Sequence, residues 1–222
     1  MWDPQWALLA ERFDAVRCDL RGSGDSRLPA ERYNDADDVR RLLDHLDIAR
    51  PSVVAASFGG LVALELASRW PERVERLALL SSAWSGVDPD AELRRFAAEE
   101  EALLAAGDVD AAVELNVSTW LGPEASPAAH DLVRRMQRRI FDIQLAAPEE
   151  AVAEDLNPDP GAITAPTLVV SGAHDLPHFS AIAEALAERI PRAEHRRLDW
   201  AGHLPSLERP AKMGELLIEQ LR

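Results

Sequence analysis

One serine sits where an apolar run gives way to a helical pattern, in Ser52-Val53-Val54-Ala55-Ala56-Ser57-Phe58-Gly59-Gly60-Leu61. Small residues flank Ser57 at Ala55 and Gly59. The spacing small-x-Ser-x-Gly suits a sharp strand-to-helix turn that lifts a hydroxyl clear of a sheet, because bulkier neighbours would collide there. The helix that follows aims its dipole and its first N–H groups at the place where an oxyanion would develop. The same residue types also suit an ordinary serine N-cap. A hydroxyl becomes a nucleophile only when a base takes its proton. Of six histidines, His203 is the best placed, in Trp200-Ala201-Gly202-His203-Leu204-Pro205, after the last apolar run and before a helix. A third group must hold the imidazole in one tautomer and stabilise its charged form. Asp175, in Ser171-Gly172-Ala173-His174-Asp175, follows another apolar run. Taken singly, His203 also reads as a solvated loop residue and Asp175 as a turn aspartate. Together they give the chain order Ser, Asp, His, each just past a strand, which is the order of one triad architecture.

The elements that must carry these groups follow from periodicity. Short apolar runs at Ala15–Leu20, Ser52–Ala56, Leu77–Leu80, Thr167–Ser171 and, more weakly, Arg196–Trp200 predict buried parallel strands. Helical patterns separate most of them, at Pro4–Arg12, Asp35–Leu46, Phe58–Trp70, Ala181–Ile190 and Pro210–Arg222. Pro71 and Pro191 stop two of these helices, and Pro4 and Pro210 open two others. Alternation of strand and helix implies an α/β fold with a mainly parallel sheet, and groups at strand carboxyl ends then open on one rim. Residues 85 to about 160 break the rhythm. They hold no convincing strand, and helical spacing runs through Ala91–Ala106, Asp108–Trp120 and Pro127–Leu145. They are expected to form a helical insertion, with Pro158-Asp159-Pro160-Gly161 returning the chain to the sheet.

Composition excludes several classes. Among 222 residues, 39 acidic against 24 basic side chains give a formal charge of -15, the wrong sign for a general nucleic-acid binder or for adsorption to anionic lipid. No apolar run has the ~18 residues that a transmembrane helix needs. Met1-Trp2-Asp3-Pro4 shows no secretory pattern, and the single Cys18 cannot form an internal disulfide, so a cytoplasmic setting is expected. His174 and His178 flank Asp175, but no further Cys/His cluster supports a metal site, so none is expected. Arg21-Gly22-Ser23-Gly24 lacks the lysine of a phosphate loop. Arg134, Arg135, Arg138 and Arg139 are expected to line a solvated helix face.

The chain resembles the α/β-hydrolase family over nearly its whole length. The resemblance is carried by Asp19-Leu20-Arg21-Gly22-Ser23-Gly24-Asp25-Ser26, by Ala55 to Gly60, by Trp70-Pro71-Glu72-Arg73-Val74, by Gly172 to Asp175, and by His203-Leu204-Pro205-Ser206-Leu207-Glu208-Arg209-Pro210. It implies a core of residues 1–84 and 161–222 and a helical cap of residues 85–160 over the site. It further implies a serine hydrolase that works without a cofactor on a small ester, lactone or related acyl compound, of the capped esterase or enol-lactone hydrolase kind. Ser57 would be the nucleophile, His203 the base, Asp175 its orienting acid, and the Phe58 N–H an oxyanion donor. Trp84, Phe96, Trp120, Met136 and Phe141 are the candidates for shaping the substrate pocket. Two departures matter. Ala55 replaces the commoner glycine, with little expected effect. Family members also carry about three strands and a His-Gly loop ahead of the position where this chain starts. That loop supplies the second oxyanion N–H, a donor worth roughly 2.7–4 kcal/mol. A longer chain is therefore expected to be the working enzyme, and the coding DNA upstream of Met1 tests this. A non-catalytic scaffold, an impaired truncated product and an acyltransferase stay open as alternatives, as does the oligomeric state.

Overall fold

The computed structural model describes residues 1–148 and 150–222. In chain order the elements are α1 (Asp3–Ala10), β1 (Arg32–Tyr33), α2 (Asp35–His45), β2 (Val53–Ala56), α3 (Phe58–Arg69), β3 (Leu77–Leu80), α4 (Ala91–Ala105), α5 (Val109–Trp120), α6 (Pro127–Leu145), β4 (Val152–Ala153), β5 (Thr167–Gly172), α7 (Pro177–Arg189), β6 (Ala193–Leu198), the short α8 (Pro205–Glu208) and α9 (Pro210–Leu221). No helix among the described residues is long and apolar enough to cross a membrane.

Four parallel strands form the main sheet in the order β2-β3-β5-β6. β3 and β5 are buried at every residue, which is why they read as unbroken apolar runs. Successive β3 side chains serve opposite faces. Leu77 and Leu79 join α3 and α7 in one apolar layer, while Ala78 and Leu80 join Met213 and Leu217 of α9 in the other. α1 lies beside α9, and its buried Gln5 amide donates to the Ser206 carbonyl. The edge strand β6 carries Glu194, Arg196 and Arg197, charges that discourage pairing with another chain.

Three sequence expectations are corrected. Ala15–Leu20 is not a strand: no ladder forms there, and the segment leads into a self-contained loop. A strand exists only through a neighbour, and among the described residues none pairs with it. In that loop Ser26 Oγ donates to the Asp19 carbonyl at 2.8 Å and the Asp25 N–H donates to the Asp19 carboxylate at 3.2 Å. Gly24, at φ +55°, leaves the Asp19 carboxylate the space that a Cβ would take. Residues 85–160 do contain one short strand, β4, paired in parallel with β1 through Arg32↔Val152 and Tyr33↔Ala153. Finally, the last strand begins at Ala193, not Arg196, because the ladder Thr167↔Ala193 to Gly172↔Leu198 decides its start. Trp200 falls in the turn that follows.

The helices between β3 and β5 hold together through their own cluster, in which Val113 and Val117 of α5 meet Val133 and Phe141 of α6, with Leu207 of α8 against them. Asp90, Asp108 and Ser126 cap α4, α5 and α6 by accepting from Leu93, Ala111 and Ala129 N–H groups. Of the arginine cluster, Arg134 pairs with Glu114 and Asp131, and Arg138 with Asp110.

α3 approaches the end of β3 very closely. A Cβ on Gly60 would lie 2.7 Å from Ser82 Cβ and 3.0 Å from its Cα. Gly60→Ala is therefore expected to destabilise the fold by about 1–3 kcal/mol through overpacking, read as a lowered midpoint in urea with an unchanged slope.

Candidate active site

Ser57 joins β2 to α3 with φ 49° and ψ -123°, a region that side chains other than glycine rarely occupy. Such a residue stores on the order of 1–3 kcal/mol unless its surroundings over-determine it. Here they do. The Ser57 N–H donates to Leu80 at 3.0 Å, and its carbonyl accepts from Gly60 at 2.8 Å and Ala83 at 3.0 Å. Ala55 fits without strain, buried in β2 opposite Leu79. Phe58 opens α3, so its N–H belongs to the turn of amides that a helix leaves unpaired. The Phe58 ring is 48% exposed and takes no part in the core.

His203 lies beyond β6, just before α8. Its Nε2 is 2.8 Å from Ser57 Oγ and its Nδ1 is 2.8 Å from Asp175 Oδ2. Nδ1–H donating to the carboxylate leaves Nε2 free to accept from the serine hydroxyl, which is the tautomer that proton transfer needs. The side chains are shielded from water, at 3% exposure for His203 and 0% for Asp175. The other carboxylate oxygen of Asp175 accepts from the Leu176 N–H at 2.8 Å. The acid and base loops touch directly: the Ala173 and His174 N–H groups donate to Leu198 and Ala201 at 2.9 Å. Gly172 packs against the Ala201 and Gly202 carbonyls with no room for a side chain.

Aromatic rings enclose the imidazole. Phe179 of α7 meets it edge-on at 4.2 Å between centroids, and Trp120 of α5 lies at 4.6 Å. Trp120 donates its indole N–H to Asn116 Oδ1 at 2.7 Å, and Phe96 of α4 meets its ring at 4.6 Å. Of the five aromatic and methionine candidates, Trp120 lies against His203, and Phe96 touches Trp120 and not the imidazole. Trp84 is instead buried in the main core under the Arg189 guanidinium, and Phe141 fills the core between α5 and α6. Met136 is half-buried on α6. The sequence did not mark Phe179 or Asn116 as part of the site. Phe179's position four residues after Asp175, on the first turn of α7, was the available signal. Glu208, buried beneath the His203 loop, was also missed. A separate cleft of about 470 Å³ between the Cys18–Arg21 segment and α2 is lined by Asp35 and Asp38 and does not include the triad. Burial pushes the Asp35 carboxyl above its ordinary range.

The chain is similar to known proteins of one family. The model of the family described as "Alpha/beta hydrolase family" matches residues 1–216. A RutD protein of Pantoea ananatis (strain LMG 20103), provisionally named a carbamate hydrolase, is 30% identical over all of this chain and 83% of its own length. The 3-oxoadipate enol-lactonase 2 of Acinetobacter baylyi is 28% identical over 95% of this chain and 79% of its own. The crystal structure of the enol-lactonase from Burkholderia xenovorans LB400 superposes with a TM-score of 0.78 at 30% identity, covering 99% of this chain and 85% of that one. A parallel sheet flanked by helices, a serine on the turn after β2, and a family match over nearly every residue lead to one conclusion: this chain is a member of the alpha/beta hydrolase family.

Proposed function

We propose that this protein hydrolyses a small ester, lactone or carbamate through a covalent acyl-enzyme. The observation that carries the reading is the continuous pair of 2.8 Å contacts from Ser57 Oγ through His203 to Asp175. Ser57 Oγ attacks the substrate carbonyl carbon while His203 Nε2 takes its proton. Negative charge collects on the carbonyl oxygen, where the Phe58 N–H donates to it. When the tetrahedral species collapses, the carbon–oxygen bond to the leaving group breaks and His203 returns the proton to that oxygen. A water molecule then attacks the acyl group as His203 again accepts a proton; the bond between the acyl carbon and Ser57 Oγ breaks, His203 passes its proton to Oγ, and a carboxylic or carbamic acid leaves. Asp175 keeps its charge throughout and balances the imidazolium. The names of the relatives support carbonyl hydrolysis as the reaction class.

We assign the residues 85–160 the role of a cap over a core of 1–84 and 161–222. Trp120, from this insertion, forms an apolar wall against His203, and Phe96 backs its ring from behind. Such a wall excludes water from the imidazole and favours an apolar group on the substrate. The test is turnover of p-nitrophenyl acetate together with a simple lactone and a carbamate ester. Release of product that depends on Ser57 is expected; no Ser57-dependent rate above background with any of the three overturns the proposal.

A further inference from the structure

We propose that Glu208 is a positioning residue for the general base: its buried carboxylate fixes the backbone on both sides of His203 and fastens that loop to the helical insertion. The inference rests on the triad reading above. Glu208 is 5% exposed, and both its oxygens lie 3.0 Å from the Gly202 N–H. One of them also accepts from Leu204 at 3.2 Å, and the Gly122 N–H donates as well. Between these two residues, the His203 N–H donates to the Trp120 carbonyl at 3.0 Å. Three successive amides, 202 to 204, are thus each held by a partner.

A buried carboxylate is costly unless hydrogen bonds replace its water. Burial pushes Glu208 above the usual carboxyl range and the Gly202, Gly122 and Leu204 N–H groups draw it back. An apolar residue here would strand those N–H groups. Glutamine would present an amide donor to some of them, so only the ionised carboxylate accepts on both oxygens.

The same residue reaches across to the loop that ends α5. A Cβ on Gly122 would lie 2.6 Å from the Gly202 N, so the two backbones are stacked with no spare volume. Beside this seam Arg209 pairs with Glu124. α5 also supplies Trp120, whose ring lies against the imidazole that its carbonyl helps to place. The charged and titratable groups around Glu208 are Asp175 and His203 in the site and the Arg209–Glu124 pair at the rim. A shift of about 1 Å between reacting groups can reduce turnover roughly 10²-fold, so a clasp one residue to either side of His203 acts directly on the rate.

The test compares Glu208→Gln, Gly122→Ala and Ser57→Ala with the parent, using p-nitrophenyl acetate. Glu208→Gln is expected to lower kcat about 10- to 100-fold with KM within about threefold. A purely structural residue would lower the folded fraction and leave the kcat of the folded molecules unchanged. Gly122→Ala, pressing on the clasp from the insertion side, is expected to reproduce the kcat loss and serves if Glu208→Gln does not fold. Parent-like kcat in either folded variant overturns the proposal. Ser57→Ala separates the two ideas: activity persisting there defeats the triad, whereas an inactive Ser57→Ala beside a parent-like Glu208→Gln defeats only the clasp.

Discussion

Ser57→Ala is expected to lower kcat by on the order of 10⁵- to 10⁶-fold while leaving the fold intact. The change removes a single oxygen, the atom that forms the acyl bond. The backbone at φ 49° is held by its bonds to Leu80, Gly60 and Ala83, none of which involves the side chain. Thermal unfolding of the variant should therefore match the parent's within a few degrees. What activity remains would come from water activated by His203, so the variant should lose burst kinetics altogether. Labelling by a fluorophosphonate probe, with the matching mass increase on the peptide containing Ser57, should disappear with it. Retention of activity within about tenfold of the parent, or continued labelling, removes Ser57 from the mechanism.

Asp175→Asn is the second large effect, a fall of about 10⁴-fold in kcat with KM within about threefold. The reason lies in which atom faces which. One Asp175 oxygen accepts from Leu176 at 2.8 Å and the other from His203 Nδ1 at 2.8 Å. An asparagine keeps its oxygen on the Leu176 N–H and turns its NH₂ toward Nδ1. The imidazole then carries its proton on Nε2, where it donates to Ser57 instead of accepting from it. The side chain is fully shielded, so water does not restore the lost tautomer. Because the replacement is nearly isosteric and removes a buried charge, stability should not fall. Steady-state kinetics together with fluorophosphonate labelling rates measure both halves of the claim: a loss of less than tenfold would show that Asp175 does not orient the base.

The legible parts of this protein share one property: their requirements are local. The turn at Ser57 needs small residues beside it, and Ala55 and Gly60 stand there, the latter with no room for a Cβ against Ser82. β3 and β5 are covered on both faces, so nearly every residue must be apolar. Pro177 and Pro210 sit on the first turns of α7 and α9, although the sequence marked only the second. Ala15–Leu20 has the composition of a strand and yet is not one, because pairing depends on a neighbour that composition does not encode. β1 and β4 were invisible for the converse reason. Two residues in each, 120 positions apart and none of them buried, carry no periodic signal, and only their meeting makes them strands.

The site divides along the same line. Residue types and order along the chain determined a serine on a strand-to-helix turn, an aspartate and a histidine each past a strand, and hence the family. Only the tertiary structure decided that Nε2 and Nδ1 of one imidazole reach both partners at 2.8 Å, that Trp120 and Phe179, and not Trp84 or Phe141, face that ring, and that Glu208 anchors its loop. Local conformation follows from steric demands within a few residues, which a sequence displays directly. Convergence of groups separated by 146 positions depends on how whole layers pack, and packing is a property of the assembled core.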